Sequence, residues 1–397
     1  MINLFQPQVG AEELDAVAGV FHDRRLGSGR RTRAFEAAFA EHLGIPAEHV
    51  VFTSSGTSAL HLAVETLDLQ DGDEVVLPSI GLPATAEAIA GRAGRPIFCD
   101  VDRRTLNPAL EDIEAVLTDR TRAVLLLHYG GRTGDVVRIA ARCRERGIVL
   151  IEDGACSVAS RVDGLPAGTF GDLAVWSFDP GRVIVTGDGG MVYAKDPERA
   201  ARTRLLAHRG LVRASSFGHG ALPPGQGEPD LPEYGRGIVG NDLTAAIGHV
   251  QLRRLPEMVE RRTLIAERYD RELAGTEGLL TPPPLPEGQE STHCLYWVQL
   301  DPAIKDKVVG DLLAEEIYTT SHYAPLHRVR AQDAAEEPPA ARLPACDWAV
   351  DRTVRLPLHP GLSDEDVAAV IGSLRRAVRS RLAEASTEEG LTVKDTQ

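Results

Sequence analysis

The sequence predicts an α/β protein: a large domain with a mostly parallel, mixed sheet, followed by a smaller C-terminal α+β domain. Three observations carry that expectation. Between residues 50 and 196, short β-rich runs alternate with helical patterns, the order that builds a layered sheet. Several runs are apolar without a break, as in Ala123-Val124-Leu125-Leu126-Leu127, which suits strands covered on both faces. From Asp242 to about Leu273 a long helical pattern then leads into a region with only two further strand candidates.

Taken in order, residues 1–245 form the large domain, opened by a helical arm. Its strand candidates are Val50-Ser54, Glu74-Pro78, Arg95-Asp100, Ala123-His128, Ile148-Asp153, Ala174-Phe178 and Met191-Ala194. Leu60, Ala63, Val64 and Leu67 recur at helical spacing between the first two. Asn107-Pro108 reads as a helix cap with proline at the first helical position. Residues 208–240 are rich in Gly, Pro and polar side chains and read as a long surface loop. Residues 246–385 hold the connecting helix, strands at Cys294-Leu300 and Val354-Pro357, and helices near Asp306-Glu316 and Ser363-Arg379. Residues 386–397 are polar and are expected to be a disordered tail.

A chain of 397 residues is long enough for a large core, and its formal charge of −15 argues against a nucleic-acid or anionic-membrane surface. The five cysteines are scattered, odd in number and without metal-ligand spacing, which points to a reducing cytoplasm. No secretion signal opens the sequence and no apolar run approaches the length of a membrane span. Lys195, Lys305, Lys307 and Lys394 are its only lysines; the remaining basic residues are Arg, a skew that base composition explains.

Two turns carry candidate chemistry. Ser55-Gly56-Thr57 lies between a strand and a helix, where backbone N–H groups, a hydroxyl and the helix dipole converge on an anion. Plain helix capping explains the same residues. Glu152-Asp153 ends a buried strand with paired acids, which also suits capping of the turn that follows. His128 ends a neighbouring strand, where α/β proteins place ligand sites, and reads equally as a structural residue.

In longer context these segments resemble the DegT/DnrJ/StrS family of aminotransferases. The resemblance runs through Ser54-Ser55-Gly56-Thr57-Ser58-Ala59-Leu60, Gly72-Asp73-Glu74-Val75-Val76-Leu77-Pro78, Ile151-Glu152-Asp153-Gly154-Ala155 and Ser177-Phe178-Asp179-Pro180-Gly181-Arg182. It continues with Ala245-Ala246-Ile247-Gly248-His249-Val250-Gln251-Leu252 and His322-Tyr323-Ala324-Pro325-Leu326-His327. It implies the fold-type I, aspartate aminotransferase-like PLP-transferase fold and a keto-sugar substrate in amino-sugar or natural-product biosynthesis. It also implies a dimer and pyridoxal phosphate as cofactor. On that pattern Ser55, Gly56, Thr57 and Ser177 hold the phosphate, and Asp153 keeps the pyridine nitrogen protonated.

The pattern breaks around the ring. The lysine that forms the Schiff base in the family corresponds to Arg182, which stays protonated and presents a planar fork of donors. The ring-hydroxyl partner corresponds to Cys156, the stacking aromatic to Leu82, and a partner-subunit asparagine to Gly237. Together these changes point to a repurposed enzyme acting on a sugar-like molecule without lysine-based transamination. Pyridoxal or pyridoxamine phosphate would bind non-covalently, if at all. Arg182 would pair with Asp153 or with a ligand anion, Cys156 is a candidate nucleophile, and His322 with Tyr323 a candidate acid/base pair. A related branch of the family, the GDP-4-keto-6-deoxymannose dehydratases, has histidine in place of the lysine. Two alternatives stay open: a non-catalytic subunit paired with an active paralogue, and an ordinary sugar aminotransferase whose lysine lies elsewhere.

Overall fold

The computed structural model describes residues 1–211, 231–321, 323–329 and 342–392. The elements run α1 (Ala11–Asp23), α2 (Arg30–Leu43), β1 (Val50–Thr53), α3 (Gly56–Glu65), β2 (Glu74–Pro78), α4 (Pro83–Ala90), β3 (Arg95–Cys99), α5 (Leu110–Glu114), β4 (Thr121–Leu127), α6 (Val136–Arg146) and β5 (Val149–Asp153). After the short β6 (Arg161–Val162) and β7 (Leu165–Pro166) come β8 (Leu173–Ser177), β9 (Gly190–Ala194), α7 (Pro197–Ala207) and α8 (Asp242–Leu273). The chain closes with β10 (Leu279–Leu280), β11 (Gln289–Glu290), β12 (Tyr296–Leu300), α9 (Pro302–Ala314), α10 (Pro344–Val350), β13 (Thr353–Leu356) and α11 (Asp364–Thr392).

Seven strands form the main sheet in the order β1-β9-β8-β5-β4-β2-β3. Strands β3, β2, β4, β5 and β8 are parallel, while β9 runs antiparallel to both β8 and β1. The fold class read from the sequence is therefore the one observed. Alternation along each strand explains the unbroken apolar runs. Leu125 and Ile151 enter one core with α3, α4 and α7, while Val124, Leu126 and Leu150 enter a second with α5 and α6. A third core, on the same side as α2 and the first half of α8, gathers Phe35, Phe39, Phe52, Trp176 and Phe178.

Helix α8 is capped by Asn241, whose side chain accepts from Thr244 N at 3.0 Å, and it reaches from the large sheet to the smaller C-terminal sheet β10-β12-β13. That sheet is two-faced. Tyr296, Val298, Leu300, Val354 and Leu356 pack against α8, α9 and α11, while Trp297 joins the core of the large domain.

Two local readings differ from the structure. Helix α5 begins at Leu110 with Ala109 as its cap. Asn107 instead spends its side-chain oxygen on Tyr129 N, 3.0 Å away, tying two loops at the end of the sheet. Helix α11 runs past residue 386 to Thr392, because Leu382-Ala383-Glu384-Ala385 continue a strong helix-forming sequence. Most of the loop expected at 208–240, residues 212–230, falls outside the described residues. No helix among the described residues is long and apolar enough to cross a membrane.

Candidate active site

The candidate site lies where β1, β4, β5 and β8 end. At β1 the backbone turns through Ser55, extended at φ −161°, whose Oγ accepts from Ser58 N at 3.0 Å and starts α3. Gly56 is set directly against β8: a Cβ there would lie 2.5 Å from Ser177 Cβ and 2.7 Å from Ser177 Oγ. That close approach brings Ser177 to the first turn of α3, where N–H groups point outward and the dipole favours an anion. Thr57 is exposed on the same turn.

At β5 the two acids divide their roles. Glu152 is fully buried and its carboxylate is saturated, by His128 Nε2 at 2.8 Å and by the amides of Gly168 and Gly171, each at 2.7 Å. That network makes His128 and Glu152 structural. The Asp153 carboxylate accepts only Ala155 N, at 3.0 Å on Oδ1, among the hydrogen bonds of the described residues. Burial raises its carboxyl above the usual range, and the Ala155 amide and the charges of Arg182 and His128 do not cancel that.

Arg182 follows β8 on a tight turn and its side chain is 8% exposed. Its Nε donates to Asp179 Oδ2 at 3.1 Å and its Nη1 to Cys156 Sγ at 3.3 Å. Asp179 also accepts Gly181 N at 2.8 Å and Ser177 Oγ at 3.0 Å. The pair expected between Arg182 and Asp153 is thus replaced by Arg182–Asp179, because a carboxylate three residues back on the same turn reaches the guanidinium first. Burial pulls the Arg182 pKa down, but Cys156, Tyr323, Asp179 and Cys294 outweigh it and hold the group firmly cationic.

Cys156 is not alone. It hydrogen-bonds to Cys294, both buried, with the cations of Arg182 and Arg355 facing the pair and Arg262 facing Cys294. The shared hydrogen bond first, then burial, pushes the Cys156 thiol up, while the same bond and the three cations pull Cys294 down. That upward shift disfavours the nucleophile expected at Cys156, whose sulfur instead accepts the bond from Arg182 Nη1.

Leu82 caps α4 and is 45% exposed at the rim, with no aromatic ring in its place. Tyr323 stands beside Arg182, with its ring centroid 6.1 Å from that of Tyr129, whose ring in turn lies 5.3 Å from Trp297. His322 lies outside the described residues. Gly237 pairs with His208 in an isolated bridge beyond the end of α7. Asp179, Cys294, Tyr129 and Arg355 were not singled out in the sequence; a cation in a strand of the C-terminal sheet and an acid beside Arg182 were the available signals.

No described lysine reaches the site. Lys195 follows β9, its N–H bonded to Asp172 O before β8, so the length of β8, roughly 16 Å, separates it from Ser177. Lys305 and Lys307 lie on α9 in the C-terminal domain, and Lys394 lies outside the described residues. Among the described residues no cluster of His, Cys, Asp and Glu suits a metal ion.

Comparison with known proteins agrees over the full length. The chain is 52% identical to a dTDP-4-dehydro-2,3,6-trideoxy-D-glucose 4-aminotransferase of Saccharopolyspora spinosa, covering 97% of this chain and 99% of that one. The crystal structure of the aminotransferase TlmJ from Streptoalloteichus hindustanus superposes with a TM-score of 0.90 at 49% identity, over 96% of this chain and 99% of that one. The sugar aminotransferase CalS13 from Micromonospora echinospora gives 0.86 at 27% identity, over 95% and 100%. With residues 7–375 matching the family as a whole, the chain belongs to the DegT/DnrJ/EryC1/StrS aminotransferase family.

Proposed function

We propose that this protein aminates the keto carbon of a nucleotide-linked deoxy sugar, using pyridoxal or pyridoxamine phosphate held without a covalent bond to the chain. The observation that supports the substrate is the 52% identity, along both full lengths, to a dTDP-sugar 4-aminotransferase. Arg182, with no described lysine near it, supports the non-covalent cofactor.

The residues present fit the cofactor at two of its ends. Asp153 is a half-buried carboxylate with one oxygen unclaimed among the described residues, complementary to a pyridine N–H, and pairing there would restore the charge that desolvation opposes. The first turn of α3, with Ser55, Gly56, Thr57 and the adjoining Ser177, is complementary to a phosphate. When bound, the cofactor supplies an electron-accepting ring that lets a proton leave the carbon bearing the transferred nitrogen.

The chain's own contribution is then positional and electrostatic. Asp153 would orient the cofactor and hold its ring nitrogen protonated. Arg182 places a fixed positive charge between the phosphate end and the Cys156–Cys294 pair, and it neither gives nor takes a proton. Tyr323, whose hydroxyl burial pushes up and which hydrogen-bonds to Arg182, is the group beside Arg182 that can hold a proton. Leu82, exposed at the start of α4, would cover a bound ring less tightly than an aromatic side chain.

The test is incubation of purified protein with pyridoxal phosphate, glutamate and dTDP-linked 4-keto-6-deoxy sugars, with the amino sugar followed by mass spectrometry. Amine formation supports the reading; its absence, with cofactor bound, sinks it. The Arg182–Asp179 and Arg182–Cys156 contacts favour a second reading, in which the site is retained without turnover and the chain completes a dimer with an active paralogue. Turnover by the chain alone excludes that.

A further inference from the structure

The phosphate turn already has an anion beside it, and that anion belongs to the chain. Asp179 stands two residues after Ser177 and three before Arg182, and its Oδ2 takes a bond from each: Ser177 Oγ at 3.0 Å and Arg182 Nε at 3.1 Å. The other oxygen, Oδ1, accepts Gly181 N at 2.8 Å and closes the turn. Ser177 Oγ also lies against the first turn of α3, where a Cβ on Gly56 would come within 2.7 Å of it. A single carboxylate oxygen therefore joins the hydroxyl beside that helix start to the buried guanidinium of the site.

This arrangement limits what the turn can offer a ligand. A serine hydroxyl has one proton, and Ser177 gives its proton to Asp179, so it presents only lone pairs to an anion. Ser55 is spent in the same way, donating to Ser58 Oγ at 3.0 Å. Arg182 Nε is occupied, and its positive charge is matched by Asp179. Two donors suited to phosphate oxygens are thus turned onto a carboxylate, whose own charge opposes a second anion beside it. Asp179 is half-buried, so water screens that repulsion only in part. The N–H groups at the start of α3 and the exposed Thr57 stay available.

We propose that Asp179 is a built-in competitor of the phosphate monoester that binds this turn, and that binding requires Ser177 and Arg182 to be handed from its carboxylate to the phosphate oxygens. Identifying that monoester with the cofactor rests on the function proposed above; anion binding at the turn does not. With no described lysine at the site, the phosphate contacts govern how firmly the cofactor is held, and Asp179 sets their strength.

Asp179→Asn isolates the charge. Its carbonyl oxygen keeps the bond from Gly181 N, while its amide donates to Ser177 Oγ and so frees the hydroxyl proton and Arg182 Nε for a ligand. Cofactor-free, full-length protein is titrated calorimetrically with inorganic phosphate at mildly alkaline pH, where phosphate is a dianion. Asp179→Asn is expected to bind it about tenfold more tightly than wild type, as gain of one charge-assisted bond does. Equilibrium dialysis with pyridoxal phosphate should move in the same direction, and adding Ser177→Ala to Asp179→Asn should take back part of the gain. Asp179→Ala frees the same donors and is expected to gain affinity as well, which keeps the test readable should the asparagine variant fail to fold. Phosphate affinity in these variants equal to or below that of wild type overturns the proposal, because Asp179 would then support the turn and not compete with its ligand. Absence of phosphate binding by wild type and variants alike overturns it too. Either result together with amination by the wild type would leave the proposed function standing. Tighter phosphate in Asp179→Asn, with pyridoxal phosphate bound by neither protein, would keep the competitor and sink the cofactor reading.

Discussion

Replacing Arg182 with lysine gives the sharpest measurement on this site. At pH 8 a lysine with an ordinary pKa of about 10.4 is neutral in roughly one molecule in 250, and an arginine about a hundred times more rarely. Cys156, Tyr323 and Asp179 hold Arg182 firmly cationic in the folded protein. The substitution shortens the fork, so one of the bonds to Asp179 and Cys156 is lost. With Asp179 40% exposed and still bonded to Gly181 N and Ser177, that cost is about 1–2 kcal/mol, read as a thermal midpoint a few degrees lower. The assay is the visible spectrum with added pyridoxal phosphate, before and after borohydride, followed by peptide mapping. Wild type should show no covalent adduct on the chain, and Arg182→Lys should show one at position 182. A borohydride-trapped adduct on Lys195, Lys305, Lys307 or Lys394 of the wild type would refute the reasoning. So would an Arg182→Lys protein that binds the cofactor without forming the bond.

Other expectations follow from the same geometry. Asp153→Asn should weaken pyridoxal phosphate about tenfold or more in equilibrium dialysis, through loss of a charge-assisted bond. The same variant, cofactor-free, should melt above wild type at neutral pH. A carboxyl whose folded pKa is raised contributes stability at low pH that is lost as pH rises through that pKa, so the two melting curves should converge in acid. Gly56→Ala drives a methyl to within 2.5 Å of Ser177 and should cost about 1–3 kcal/mol in chemical denaturation together with most of the phosphate affinity. Glu152→Ala strands His128 and two buried amides and should cost about 3–5 kcal/mol, with insoluble protein as the extreme outcome.

The strands were legible because burial on both faces forces unbroken apolar runs, and because turn residues punctuate them; β2, β3, β5 and β8 fall within a residue of their expected bounds. Antiparallel β9 was not legible as such, since direction leaves no mark on a short apolar strand. The phosphate turn and Asp153 were visible as residues in order along the chain. What could not be read was which group Arg182 holds: Asp179, three positions away, had no chemistry attached to it, and Cys294 and Arg355 come from a different domain. Contacts of that kind depend on how two sheets meet, which local pattern does not encode. The cap at Asn107 failed for the same reason, its side chain being claimed by Tyr129 on a distant loop.

The alternating faces of β12 and β13 have an evolutionary corollary. A point replacement at position 355, half-buried on the face of β13 turned from the C-terminal core, can change the surroundings of Tyr323 without touching the packing that keeps that unit folded, which hangs on residues 296, 298, 354 and 356. Gain or loss of a single residue in either strand would swap the two sets at once, sending a guanidinium inward and a leucine outward. Divergence among such enzymes should therefore proceed here by exchange of side chains at fixed length, with insertions confined to the connecting loops.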